Sequence, residues 1–255
     1  MNYFLPNTAA ERYSLGRPNF HSNSIHHIRE FLKLTNKFEH ALDIACGTGL
    51  STQALLDIAE HVYGTDSSQA MLDLALQKDK IFYQLAESEN QPFTEHQFDL
   101  ITVCSGVHWF DINNFLREAN RLLKNKSWLI IYDNFFLGEM EGNLEFKKWY
   151  HTVYLKEFPP PIRNDTYEWK KENLIVLNLN FVKEEKFDNP IFFNTSELIH
   201  YFTTQSNVIS KVEKRETTYD HTEYWLHHEL SPFFKTQDDR KIFRFGNWIK
   251  YLRKS

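Results

Sequence analysis

The chain has 255 residues, 42% of them hydrophobic, enough for one large α/β domain or a domain with an inserted cap. Its net charge of -5 disfavours a nucleic-acid partner, because neutralising many phosphates requires a basic face. No apolar run is long enough for a membrane span and no secretory leader is visible, while Cys46 and Cys104 each lie in an apolar run that suits a reducing compartment; a cytoplasmic protein is expected.

Taken in chain order, Ser24 is placed to cap a helix that carries Ile25, Ile28, Phe31 and Leu32 on one face. A short strand over 41–45 runs into Cys46-Gly47-Thr48-Gly49, and Leu50, Ala54, Leu55, Ile58 and Ala59 then repeat at helical spacing. A strand over 62–66, a helix around Met71, Leu72, Leu74 and Ala75, and a strand over 81–85 follow. The run 98–104 is apolar on both faces, as at the centre of a parallel sheet. A helix over 113–123 leads to a fifth strand over 128–133. Such alternation predicts a doubly wound parallel sheet with right-handed crossovers.

After Asn134 the rhythm breaks. Residues 135–175 are rich in aromatics (Phe146, Trp149, Tyr154, Phe158 and Trp169 among them), and Pro159-Pro160-Pro161 stops any helix. This stretch is expected to be a mostly helical cap between a core of residues 1–134 and a C-terminal part of the core, 176–255. Its aromatics read either as core or as an apolar lining for a ligand. In the C-terminal part, strands are expected near 181–187 and 242–251, with a helix over 196–202.

Glycine is scarce, eight in the chain, yet Gly47 and Gly49 stand two apart directly after a strand. A strand that runs into Gly-x-Gly and then a helix sets main-chain N–H groups and a positive helix end at the carboxyl edge of the sheet. A dinucleotide fingerprint places glycine where Thr52 stands, and no phosphate-cradling Gly-x-x-x-x-Gly-Lys motif occurs, so a nucleoside cofactor without phosphates fits better. Asp66 closes the second strand, where a carboxylate accepts from both ribose hydroxyls, or caps the next helix, or does both. Asp43, an acid inside an apolar strand, calls for a partner and is expected to reach the cationic amino end of a bound methionine moiety.

The run Ala41-Leu42-Asp43-Ile44-Ala45-Cys46-Gly47-Thr48-Gly49 resembles motif I of class I S-adenosylmethionine-dependent methyltransferases, with Ala45 where the family usually has glycine. Tyr13 with Arg17-Pro18 resembles the N-terminal Tyr…Arg-Pro element, and Gly64-Thr65-Asp66-Ser67-Ser68 with Met71 the acidic ribose loop. Ala86-Glu87, Pro92-Phe93 and Phe98-Asp99-Leu100 resemble the adenine-binding loop and fourth strand, although the Ser88–Gln91 spacer is longer than usual. Ser105-Gly106-Val107-His108-Trp109-Phe110-Asp111 is similar to the subgroup that includes the trans-aconitate methyltransferases. The resemblance implies a Rossmann-like seven-stranded sheet with an antiparallel last strand and a variable insertion that binds the acceptor. It implies S-adenosylmethionine as cofactor, contacted by Tyr13, Arg17, Asp43, Ala45, Gly47, Thr48, Gly49, Asp66, Ser67, Met71, Ala86, Glu87, Ser105 and Val107. It also implies a small-molecule acceptor, such as a carboxylic acid, near Tyr13, His108 and Trp109.

Methyl transfer is an in-line displacement that needs positioning and dryness more than covalent chemistry. His108 is either a base or acceptor-binding group, or a structural histidine fixing the loop beneath Trp109. Arg17 either reaches the methionine carboxylate or is an ordinary surface arginine. The adjacent pairs His26-His27 and His227-His228 cannot share a helix face, so no metal is expected. An RNA- or protein-modifying methyltransferase, a non-enzymatic cofactor-binding protein and an NAD oxidoreductase are the competing readings, the last disfavoured by Thr52.

Overall fold

The computed structural model describes residues 5–163, 167–236 and 238–255. In chain order the elements are α1 (Asn7–Gly16), α2 (His21–Leu32), β1 (Phe38–Ile44), α3 (Leu50–Leu55), β2 (Ala59–Asp66), α4 (Gln69–Asp73), β3 (Ile81–Leu85) and β4 (Phe98–Cys104). A 3-10 turn (Val107–Trp109), α5 (Ile112–Leu122), β5 (Leu123–Met140), α6 (Leu144–Trp149), a π-helical turn (Tyr150–Tyr154) and α7 (Leu155–Glu157) follow. The chain continues through α8 (Lys171–Ile175), β6 (Leu179–Asp188), β7 (Ile191–Phe193), α9 (Thr195–Thr203), α10 (Ser206–Glu213), α11 (Tyr219–Leu230) and β8 (Lys241–Lys254).

The chain divides into two compact units. A sheet unit comprises Phe20–Asn134, Arg163–Phe187 and Asn247–Ser255; an aromatic unit comprises Met1–Asn19, Phe135–Ile162 and Asp188–Gly246. The stretch 135–175 is therefore shared, with 135–162 in one unit and 163–175 in the other, and its residues 164–166 lie outside the described residues.

The sheet runs in the order β3-β2-β1-β4-β5-β8-β6, and β7 pairs antiparallel with β8. β3, β2, β1, β4 and β5 are mutually parallel, and the last strands are antiparallel. Short β7 makes eight strands where seven were expected. β5 is longer than the expected 128–133, beginning directly at the end of α5 and absorbing an irregularity at Lys126, whose φ is 65°.

Alternation along the central strands builds both faces. Leu42, Ile44, Ile101, Val103, Leu129 and Ile131 turn one way, to meet Phe115, Leu116 and Ala119 of α5. Ala41, Leu100, Cys104, Ile130 and Tyr132 turn the other way, to meet Ile25 and Ile28 of α2 and Leu55 of α3. Ser24 is not a cap: α2 begins three residues earlier, and the buried Ser24 Oγ accepts from Asn247 Nδ2 at 3.0 Å. The aromatic unit has its own core, in which Phe146, Tyr154, Phe158 and Phe202 are at most 2% exposed and the Tyr154 and Phe202 rings lie 4.5 Å apart. Those rings are core, not lining.

Candidate active site

The order of the parallel strands reverses at β1, between β2 and β4. Ligands of doubly wound sheets bind outside the carboxyl ends of strands at such a switch point. Just past those ends the backbone is left-handed at four positions: Ala45 (φ 58°), Gly47 (φ 54°) and Gly49 (φ 81°) after β1, and Ser105 (φ 54°) after β4. Alanine and serine rarely adopt this geometry, at a cost of about 1–2 kcal/mol each, so the turn is held by its surroundings.

Asp66 supplies much of that hold. Its Oδ2 accepts from the Gly47 amide at 2.8 Å, and its Oδ1 from the Ser68 amide at 2.9 Å. Burial raises its carboxyl above the usual range, against these two amides, which favour the ionised form. The cap of α4 is Ser68, whose Oγ accepts from the Met71 amide at 3.3 Å, not Asp66 itself. Just past the end of β3, the Ala86 amide donates to the Asp66 carbonyl at 3.0 Å; Glu87 is exposed and Met71 is buried.

Asp43 is placed differently from expectation. It has no exposed surface, and its carboxylate accepts from Ser51 Oγ at 2.6 Å, Thr52 Oγ1 at 2.8 Å and Thr102 Oγ1 at 2.9 Å. Asp43 and Thr102 are register partners on β1 and β4, on the face covered by α3. Direct contact with a methionine amino group is therefore corrected: the side chain clamps α3 to the sheet. Burial nevertheless pushes its carboxyl up to about 6. Thr52, which displaces the third glycine of a dinucleotide fingerprint, is thus an anchor for Asp43.

Gly49 also departs from the expected role of making room for a ligand. A Cβ built there would lie 2.1 Å from Tyr83 Oη, so the space is used by the protein's own tyrosine. Tyr83 Oη donates to the Leu76 carbonyl at 3.0 Å, and the Leu76 amide donates to the Thr48 carbonyl at 3.1 Å. No local pattern in the sequence marks Tyr83, because its contact crosses from β3 to the turn after β1.

After β4, Ser105 Oγ donates to Asp133 Oδ1 at 2.5 Å, tying the end of β4 to the end of β5. Val107 is buried, and His108 and Trp109 are half-buried with ring centroids 4.7 Å apart. Burial, aided by the charge of Arg163, holds the His108 imidazole down to about 3. The Arg163 guanidinium lies 5.7 Å from the centre of the Trp109 ring, a neighbour the sequence did not announce. A neutral imidazole with so low a pKa is a weak base and a good hydrogen-bonding group.

The sheet unit thus gathers Asp43, Ala45, Gly47, Thr48, Gly49, Asp66, Ser67, Met71, Ala86, Glu87, Ser105, Val107, His108 and Trp109. Tyr13 and Arg17 belong to the aromatic unit, where the guanidinium lies 4.6 Å from the Tyr13 ring centre. Among the described residues no group of three or more metal-ligating side chains converges, and no helix is long and apolar enough to cross a membrane.

Residues 42–131 match a family described as a methyltransferase domain. A Dictyostelium discoideum protein described as a methyltransferase is 31% identical over 121 residues, 46% of each chain. A ubiquinone/menaquinone biosynthesis C-methyltransferase of Geotalea daltonii is 32% identical over 129 residues, 46% of this chain and 53% of that one. The chain thus spans about half the length of these relatives. The solved structure of a protein described as a type II methyltransferase from Anaeromyxobacter dehalogenans has a TM-score of 0.69 at 17% identity, covering 93% of this chain and 96% of that one, a likeness of fold alone. The glycine turn and the acid that latches it both fall within the segment, residues 42–131, that matches the methyltransferase-domain family.

Proposed function

We propose that this protein is an S-adenosylmethionine-dependent methyltransferase that acts on a small molecule of the carboxylic-acid class. The observation that carries the reading is the left-handed turn Ala45–Gly49 latched by its Gly47 amide to Asp66. A turn of this shape turns main chain, not side chains, toward a ligand, and an acidic group fixed at the end of β2 suits a ribose diol. A carboxylate has about four acceptor sites, and the amides of Gly47, Ser67 and Ser68 leave one of them for a hydroxyl. The residues therefore fit the cofactor: Asp66 and Ser67 at the sugar, Ala86, Glu87 and Met71 toward the base, and Ala45, Gly47, Thr48, Ser105 and Val107 toward the methionine end.

When bound, S-adenosylmethionine supplies an electrophilic methyl group on a sulfonium. The chain's own part is to orient and to exclude water. An uncharged His108 does not repel a cation beside it, and it offers the acceptor a hydrogen bond, with Trp109 as an apolar wall. A carboxylate acceptor is already ionised at neutral pH and needs no base, which agrees with the weak basicity of His108. Acceptor contact is assigned to His108 and Trp109, and the compartment to the cytoplasm, the latter on the strength of two buried cysteines that form no disulfide.

The test is calorimetry with S-adenosylhomocysteine and NAD in parallel, followed by methyl transfer to a panel of small carboxylic acids. Binding of NAD alone overturns the cofactor. Binding of bulk tRNA that weakens steeply with salt replaces the acceptor class with RNA. Binding of S-adenosylhomocysteine with no acceptor in any class favours a non-enzymatic role.

A further inference from the structure

Three side chains of the sheet unit meet just past the end of β4: His108 and Trp109 of the 3-10 turn, and Arg163, which opens the segment that returns to this unit after Ile162. The His108 and Trp109 ring centres are 4.7 Å apart, and the Arg163 guanidinium lies 5.7 Å from the centre of the Trp109 ring. Burial, with the Arg163 charge added, keeps the imidazole uncharged. The one charge among the three is therefore positive.

The acids of the neighbouring loops are engaged at the start of α5. Asp111 Oδ1 accepts from the Asn114 amide at 3.2 Å, and Glu89 Oε1 accepts from the Asp111 amide at 2.8 Å. Arg163 itself is exposed, whereas His108 and Trp109 are half-buried, so an anion can reach the guanidinium from solvent while its apolar part rests on the indole. A guanidinium presents its N–H groups as a planar fork that matches the two oxygens of a carboxylate.

We propose that Arg163 recognises the carboxylate of the methyl acceptor, with the Trp109 ring as the surface on which the acceptor lies. The acceptor is then taken as the anion, the form that needs no base, and His108 is left to hydrogen-bond its uncharged part. Only the identity of the ligand as a methyl acceptor rests on the methyltransferase reading; the anion site itself rests on the three side chains. Arg163 stands far along the chain from the turn after β4, and the fold alone brings it to Trp109.

The test reads the Trp109 indole N–H by NMR of the intact protein carrying isotope-labelled tryptophan, with the signal assigned by its loss in Trp109→Phe. Acetate is the probe and acetamide its uncharged counterpart, at an ionic strength held constant with chloride. The expected result is a saturable shift with acetate and none with acetamide. That shift should need at least about tenfold more acetate in Arg163→Gln and recover in part in Arg163→Lys, which keeps the charge but not the fork. The titration is then repeated with S-adenosylhomocysteine bound, its binding followed by calorimetry. Acetate that still titrates in that complex is the result the acceptor assignment requires. Acetate excluded by S-adenosylhomocysteine gives the arginine to the cofactor's own carboxylate and overturns the assignment. No shift with acetate, an equal shift with acetamide, or an unchanged titration in Arg163→Gln overturns the anion site. Should S-adenosylhomocysteine give no heat while acetate titrates as expected, the cofactor reading fails and the anion site stands.

Discussion

The Gly47 amide donates to Oδ2 of Asp66 at 2.8 Å, so the acid at the end of β2 holds in place the turn at the end of β1. One carboxylate therefore fixes the shape of the turn. Two positions nineteen residues apart act as one unit.

Removing that carboxylate is expected to do two things. Asp66→Ala leaves the Gly47 and Ser68 amides without their acceptor, which costs about 1–3 kcal/mol per buried group, and it abolishes measurable binding of S-adenosylhomocysteine. Asp66→Asn retains one acceptor oxygen and is expected to recover most of the stability but little of the affinity. Calorimetry and urea unfolding of both variants check this. Near-normal affinity in Asp66→Asn would show that the acid only braces the turn.

Asp43 gives the stability a definite pH dependence. Burial raises its carboxyl from 3.8 to about 6, so the folded protein binds this proton more tightly than the unfolded chain does. Between about pH 4 and pH 6 the folded state holds the proton that the unfolded state releases, and stability falls as pH rises through that window, by on the order of 3 kcal/mol. Asp43→Asn is expected to remove this slope. Urea midpoints taken across the window compare the two proteins; parallel curves would exclude a titration of Asp43 there.

With its pKa down at about 3, His108 is uncharged throughout the physiological range. The rate of methyl transfer is therefore expected to show no inflection between about pH 5 and pH 8 that disappears in His108→Gln. His108→Ala is expected to lower turnover more than cofactor affinity, and His108→Gln, which keeps a neutral hydrogen-bonding group, to recover part of it. An inflection near pH 6.5 in the wild type alone would restore His108 as a base.

Gly49 and Tyr83 are expected to be coupled. Gly49→Ala meets both a φ of 81° and Tyr83 Oη at 2.1 Å, and it should cost at least about 2 kcal/mol. In a Tyr83→Phe background the penalty should shrink, because the oxygen is gone, without vanishing, because the φ remains. A double-mutant cycle by urea unfolding measures the difference. Strict additivity would mean that the ring moves aside freely.

Much of the sheet was legible because alternation and strand-to-helix rhythm are local properties. The strands over 81–85 and 98–104 appear where the sequence reading put them, the second as a run apolar on both faces. Boundaries were less legible: α2 starts ahead of Ser24, since packing against the sheet, with Asn247 at the Ser24 hydroxyl, outweighs the capping preference of a serine. Helix α11 lacks a strong apolar stripe, and neither it nor α10 is among the elements expected from the sequence.

The composition of the β1 turn, its two glycines and the acid after β2 were set down in the linear order of residues, and with them the cofactor class that suits the domain. Folding alone decided what those residues touch. Asp43 faces Ser51, Thr52 and Thr102 because parallel register and the docking of α3 put three hydroxyls around it, and Gly49 faces Tyr83 because β3 lies one strand beyond β2. Hydrophobic period and turn propensity act over a few residues, whereas the partner of a buried polar group is chosen by which elements meet across the sheet.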